Sequence, residues 1–506
     1  MKYIFYIVFF LLVISSVLTI LALPEQQTEI PVLYWVTDLN PARHEQVKKF
    51  HDWLESTYGD ELQAKYGFRK YELKIDTANM DPTKIIIQGV SGAGGDIIDI
   101  MQGGGSDIHF LQSIGILDDI TDDAVKMGFS PEQTYDTIRN DIVIDDRQYA
   151  FPCNVVCSML WVNKKTFEKY NLPIPPRRWD FETFERVGKE FVKAANPPGK
   201  RQEIFFLNNE SAFENLQEMR RSLGLCRFNE TLTKCILNDP RNVKVLNLLK
   251  KWTYEDHLYP SAADSESLCA MPGSFNFSLP QLFQSGNYAM VRMGRYGLIP
   301  FRQIDSFSLS VSEIPHGGFP NNIIFARTAG IYKGSNAMHK ELARYFLTYL
   351  ASEDYNIHII KDADALPPNP KYTQLEEFEK PKDYPNEWGC HEVFAETVQN
   401  IGIGCSYSPF ILPETVARID KEFYEGFMSG LYSAEEASDK AANKINEEIA
   451  RTLKENTNLM SLYKELQAEQ NIIETLRADD KKVPAKYIKN QFYLKYYNAK
   501  GWLEEQ

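Results

Sequence analysis

The sequence predicts an α/β protein folded as two lobes, each a mainly parallel sheet flanked by helices. Three observations predict it. The chain has 506 residues, more than one hydrophobic core usually supports. Its amino-terminal part alternates short β-rich runs with amphipathic runs, the β-α-β-α-β order that builds parallel sheets. Its composition, 43% hydrophobic and 25% charged, is that of an ordinary globular protein.

The chain opens on an apolar segment. Lys2 precedes an uncharged run from Tyr3 to Leu23, and the first acid is Glu25. Such a run is long enough to span a bilayer and longer than a usual signal-peptide core. A lone Lys on the amino side puts the start in the cytoplasm and the rest outside. Residues 1–24 therefore read as a cleaved signal peptide or as an uncleaved anchor through residues 3–23. Both readings export the chain, to the periplasm or the cell surface.

The next segments follow in order. IPVLYWV is a strand, and 41–66 carries Val47, Phe50, Leu54 and Tyr58 at helical spacing. YELKID is a second strand. Asp81 and Pro82 open a helix to about Val90. GGDIIDIM is a third strand, followed by Gly103, Gly104 and Gly105. In such sheets the ligand crevice lies beyond the carboxyl ends of the strands, so the loops after Val36 and Met101 are candidate ligand loops. QYAFPCNVVCSMLWVN is a further extended run, and an amphipathic helix begins near Trp179 and Asp180. Asp239 and Pro240 cap the helix that follows. AMHKELARYFLTYLAS is amphipathic, and Ser433 with Glu436 forms a capping-box pattern. The tail from 456 to 506 is charged, aromatic and helical. Its many apolar residues, Leu466, Ile473, Phe492 and Trp502 among them, predict that it packs rather than hangs free.

Charge and cysteines narrow the chemistry. A formal net charge of -14 disfavours nucleic acid as a partner. No Lys-Ser/Thr follows the glycine run, so a phosphate cradle is not indicated, and the sequence implies no cofactor and no metal. Cys153 and Cys157 lack a neighbouring His or Cys to complete a metal set. Cys226 and Cys235 flank RFNETLTK, a turn-like stretch, and are candidates for a local disulfide.

Five segments carry a resemblance. GDIIDIMQGGGSDIHFLQSIGILDDITDD reads as acidic strand, ligand loop, helix and turn. In YAFPCNVVCSMLWVNKKTFEKYNLPIPPRRWDFETF, the positions Tyr149, Pro152, Asn163, Lys164, Phe167, Leu172, Pro173, Pro176 and Trp179 fit one family pattern. Asn171 and Arg178 depart from it. LFQSGNYAMVRMGRYG, AGIYKGSNAMHKELARYFLTYLAS and YSAEEASDKAANKINEEI follow in the same order. Over residues 30–450 the chain resembles family 1 extracellular solute-binding proteins, the maltose-binding-like class of carbohydrate ABC transporters.

The resemblance implies a type II periplasmic-binding-protein fold, with residues 28–150 and 316–366 in the N-lobe and 151–315 and 367–455 in the C-lobe. Residues 456–506 form a helical extension. It implies a monomer without enzymatic activity that captures a mono- or oligosaccharide by hinge closure and delivers it to ABC permease subunits. A ligand-sensing receptor of the same fold is a second reading. A membrane-tethered glycoside hydrolase is a third, although no fixed acid pair or nucleophile motif is present.

A sugar needs aromatic plates for its C–H face and acids, amides or Arg for its hydroxyls. The loops supply Trp35, Thr37, Asp38 and Asn40 after the first strand. Gln102, Gly103, Gly104, Ser106 and Asp107 come after the third, and Asn154 lies on the extended run. Asn208, Asn209 and Glu210 end IFFL. Gly294, Arg295 and Tyr296 end the AM segment, and Tyr407 lies in GCSYSPF. Each has a plainer reading: Trp35 as core, Asp107 as a helix cap, Arg295 as a solvated surface charge. Tyr296 stands where the resemblance puts an aromatic plate.

Overall fold

The computed structural model describes residues 30–101, 108–269, 279–303 and 308–504. The apolar run 3–23 and the ligand-loop candidates Gln102, Gly103, Gly104, Ser106 and Asp107 lie outside the described residues. Among the described residues, no helix is long and apolar enough to cross a membrane.

VLYWV forms β1 (Val32–Val36). Its alternation buries Leu33 and Trp35 and leaves Tyr34 exposed, as a period of two requires. β1 pairs in parallel with β2 (Glu72–Asp76) and with β3 (Ile97–Met101). Helices α1 (Ala42–Tyr66) and α2 (Pro82–Ser91) make the crossovers. α2 starts where the sequence predicts: the Asp81 carboxylate accepts from the Thr83 and Lys84 amides, and Pro82 needs no acceptor at the first position. A short hairpin, β4 (Val143–Ile144) with β5 (Arg147–Gln148), precedes β6 (Ala150–Cys157).

A second sheet has the order β10-β7-β9-β8, built from β7 (Met159–Asn163), β8 (Phe205–Leu207), β9 (Tyr288–Met293) and β10 (Leu309–Ser312). Its helices include α3 (Phe181–Ala195), α4 (Glu210–Glu214), α5 (Leu216–Ser222) and α6 (Pro240–Tyr254). The chain then returns to the first sheet as β11 (Asn322–Ile331), continues through α7 (Ala337–Ala351), α8 (Glu353–Asp362) and α9 (His391–Ile401), and adds β12 (Gly402–Gly404). α10 (Pro413–Met428) and α11 (Ala434–Glu455) pack together, and α11 packs on α6.

The two lobes are as expected, but the sheets are mixed rather than mainly parallel. β11 runs antiparallel to β3 and β6 and parallel to β12. In the second sheet only β8 and β9 are parallel, while β7 is antiparallel to both β9 and β10. The cause is the route of the chain. It leaves the first sheet along β6 and re-enters beside it along β11, which fixes the opposite direction.

The sheet boundaries also differ from the expected lobe limits. β6 stays in the first sheet through Cys157, and β12, near 403, belongs to that sheet as well. Two segments therefore cross between sheets, Ser158 alone and 313–321, and a third, 405–412, crosses from β12 to α10, whose Phe427 packs in the second lobe.

Each lobe has its own apolar centre. Trp35, Phe50, Leu54, Phe346 and Tyr349 fill the first, and Phe184, Phe206, Leu249 and Trp252 fill the second. A third cluster, with Trp161, Phe301 and Phe394, runs between them. The tail packs as its apolar residues predict. α12 (Leu459–Ala478) and α13 (Gln491–Ala499) bury Ile473, Phe492, Tyr493 and Tyr497.

The expected disulfide is not formed. Cys226 and Cys235 are separate buried thiols. Cys235 stands opposite Phe228 in the local bridge and packs with Leu237 and Ile445. Cys226 packs instead with Phe492 and Tyr493 of the tail. The turn between them is closed by Asn229, whose side-chain oxygen accepts from the Thr233 and Lys234 amides.

Candidate functional site

Strand register places the candidate loops. β1 and β3 are parallel, so Thr37–Asn40 leaves the first sheet at the edge where Met101 ends β3. Cys157, the end of β6, pairs with Ile324, so the first crossing leaves from that same edge. It enters the second sheet at Met159, which pairs with Met293, the residue before Gly294. β8 is parallel to β9, so Asn208–Glu210 lies beside Gly294–Tyr296. The loop sets of the two sheets therefore stand at the two ends of a one-residue crossing and face one another.

At the first edge, two predicted residues are built into a buried ionic network. Trp35, fully buried, donates its indole N–H to Asp99 Oδ1 (2.7 Å). The Thr37 hydroxyl donates to Asp99 Oδ2 (2.5 Å), which also accepts from Arg327 (2.6 Å). Asp38 pairs with Arg43, and Arg43 reaches Asp364 (2.5 Å). Burial opposes the charge on Asp364, yet Arg43 and Arg327 hold its carboxyl down at about 2. A buried charge survives only with such partners. Trp35 and Thr37 thus shape the edge from beneath. Asp38 remains half-buried, and Asn40 uses its side-chain oxygen to cap the Ala42 amide. Asn154, opposite Arg327 in the sheet, is buried with its side-chain oxygen unpartnered.

At the second edge, Asn208 is buried and donates to Glu210 (2.9 Å), while Asn209 is half-buried and Glu210 exposed. Arg295, predicted as a ligand group, is instead 1% exposed and fully engaged. Its Nε donates to His391 Nδ1 (3.0 Å), and its terminal nitrogens donate to the Ile359, Ile360 and Ala365 carbonyls. Two of these end α8, where a cation complements the helix dipole. Burial pushes the guanidinium down to about 9 and His391 down to about 4. A neutral His391 can accept from Arg295, with its Nε2 3.1 Å from Glu387.

Tyr296, the next residue, is 37% exposed. Gly294 makes room for it: a Cβ there would sit 2.5 Å from the Tyr296 ring. Tyr296 lies within electrostatic reach of Glu214 and Arg292. Tyr407, half-buried, sits in the third crossing beside Cys405.

Three residues at this edge were not singled out from sequence. Arg292 pairs with Glu218 (2.5 Å) and lies 3.9 Å from Glu214. Burial and the neighbouring carboxylates Glu218 and Glu210 raise the Glu214 carboxyl, against the pull of Arg292. The signal was present: Glu210, Glu214 and Glu218 recur every four residues, which puts carboxylates on one helical face. An aromatic ring flanked by carboxylates, an amide and a guanidinium can stack on one face of a ligand and bond groups at its rim.

Two lobes joined by three crossings, with polar loops facing across them, define a two-lobed ligand-binding protein. Residues 57–386 match the pattern of the bacterial extracellular solute-binding proteins. This is more than half the chain, and the chain belongs to that family. Solved structures share the fold. An ABC substrate-binding protein from Listeria monocytogenes in complex with cycloalternan superposes with a TM-score of 0.67 at 19% identity, covering 83% of this chain and 98% of that one. Maltose-bound MalE3 of T. maritima gives 0.62 at 16%, with 82% and 98% covered. MalE of Bdellovibrio bacteriovorus bound to maltotriose gives 0.60 at 14%, with 84% and 100% covered. None of the curated proteins compared with the chain matches it.

Proposed function

We propose that this protein captures a mono- or oligosaccharide between its lobes by hinge closure and delivers it to the permease subunits of an ABC importer. The observation that carries the reading is Tyr296, a partly exposed aromatic ring within electrostatic reach of Arg292 and Glu214 at an edge facing the other lobe. Sugars need that pairing of apolar plate and polar rim. The similar structures bound to cycloalternan, maltose and maltotriose support it. In this reading Asp38, Asn40, Asn154, Asn209 and Tyr407 complete the polar lining. The protein acts as an extracytoplasmic monomer that binds its ligand without turning it over. It is released or tethered according to the fate of residues 3–23.

A thermal-shift screen over maltodextrins, monosaccharides, amino acids, polyamines and phosphosugars tests the proposal. Neutral sugars are expected to raise Tm by mass action. Stabilisation by the non-sugars alone would overturn the carbohydrate assignment.

A further inference from the structure

Residues 456–504 lie well past position 386, where the family match ends. The similar structures are covered almost end to end yet account for only 82–85% of this chain. The last helix of the tail is nonetheless tied into the hinge. On one side α13 is rooted in the second lobe. The Glu230 carbonyl accepts from the Lys489 and Asn490 amides (2.9 and 3.0 Å). The Asn490 side chain donates to the Phe228 carbonyl (3.1 Å), and the Tyr497 hydroxyl donates to the Glu230 carboxylate (2.5 Å).

On the other side α13 reaches the first sheet and two crossings. Lys495 Nζ donates to the Gly402 carbonyl of β12 (2.8 Å), and Ile403 is buried in the same apolar cluster as Phe492. The Gln491 amide donates to the Ser406 hydroxyl in the third crossing (2.9 Å). In the second crossing, Phe319 packs edge-on against Tyr496 (5.1 Å) and Phe492 (6.0 Å). One nine-residue helix thus touches both lobes and two of the three segments about which they turn.

We propose that α13 is a brace across the hinge, which favours the lobe arrangement seen here and sets how freely the ligand-free protein opens and closes. Rotation of the lobes changes the reach from Lys495 to Gly402 and the packing on Phe319. Those contacts therefore contribute differently to different lobe arrangements, which is what shifts a conformational population. A tail that merely covered apolar surface of the second lobe would leave that population alone.

The test uses the full chain without ligand, so its outcome is independent of the sugar assignment. Nitroxides coupled through p-acetylphenylalanine at positions 48 and 421, exposed lysines of α1 and α10, report the interlobe distance by electron–electron resonance. The double variant Ser406→Ala/Lys495→Met removes the polar ties without opening the apolar cluster, and Phe319→Ala removes the ring contact. The expected result is a distance distribution that shifts or broadens relative to the unsubstituted protein. Distributions that superimpose on it, with or without a lower Tm, overturn the brace. Should the double variant fail to fold, Phe319→Ala carries the decision alone.

Discussion

Tyr296 and Arg295 are adjacent in sequence and opposite in fate. One ring meets solvent; the neighbouring guanidinium is enclosed. Tyr296→Ala removes a partly exposed stacking surface. It is expected to weaken binding of the responding sugar about tenfold, ~1.4 kcal/mol, by calorimetry, with Tm nearly unchanged. The buried ionisable groups set a pH dependence. His391 is held at about 4 in the fold, below the ordinary value of about 6.5. A depressed His favours its neutral form, so the stability it contributes falls as pH drops from about 6.5 toward 4. Asp364, held at about 2, acts in the same sense over a lower window: its contribution is complete above about pH 4 and is lost toward pH 2. Tm measured against pH should fall through both windows, and His391→Gln should flatten the upper one. Thiol titration of the denatured protein should find Cys226 and Cys235 both free, since they pack into different clusters.

Elements with local chemistry were legible in the sequence. Asp81–Pro82, Asp180, Asp239–Pro240 and the Ser433/Glu436 capping box begin their helices as read. Ser433→Ala should cost about 1 kcal/mol in chemical denaturation. The loops that end β1, β8 and β9 were placed correctly at sheet edges. What was not legible depends on residues distant in sequence. Asp99, Arg327 and Asp364 meet only through folding, so Trp35 and Thr37 gave no sign that their polar atoms were already engaged. From sequence Arg295 reads as a ligand group, because the partners that enclose it lie more than sixty residues away. Strand direction was misread for the same reason: QYAFPCNVVCSMLWVN is one extended run that feeds two sheets, and no local signal marks Ser158 as the break.

At the scale of the molecule, each lobe carries a core of its own, and the shared cluster around Trp161, Phe301 and Phe394 joins them. The tail is part of this architecture, since Phe492, Tyr493 and Tyr497 are buried in it. Limited proteolysis of the native protein should leave residues 456–504 intact, and a chain ending at 455 should lose stability by exposing the cluster around Cys226 and Ile403 that the tail covers.

The crossing at Ser158 has a mechanical meaning. A single residue spans under about 4 Å, so the lobes cannot drift apart at that point and can only swivel about it. The entropy of bringing two half-sites together is therefore spent when the chain folds, not when a ligand arrives. A ligand held weakly by one edge then meets the other at the high local concentration that so short a tether enforces.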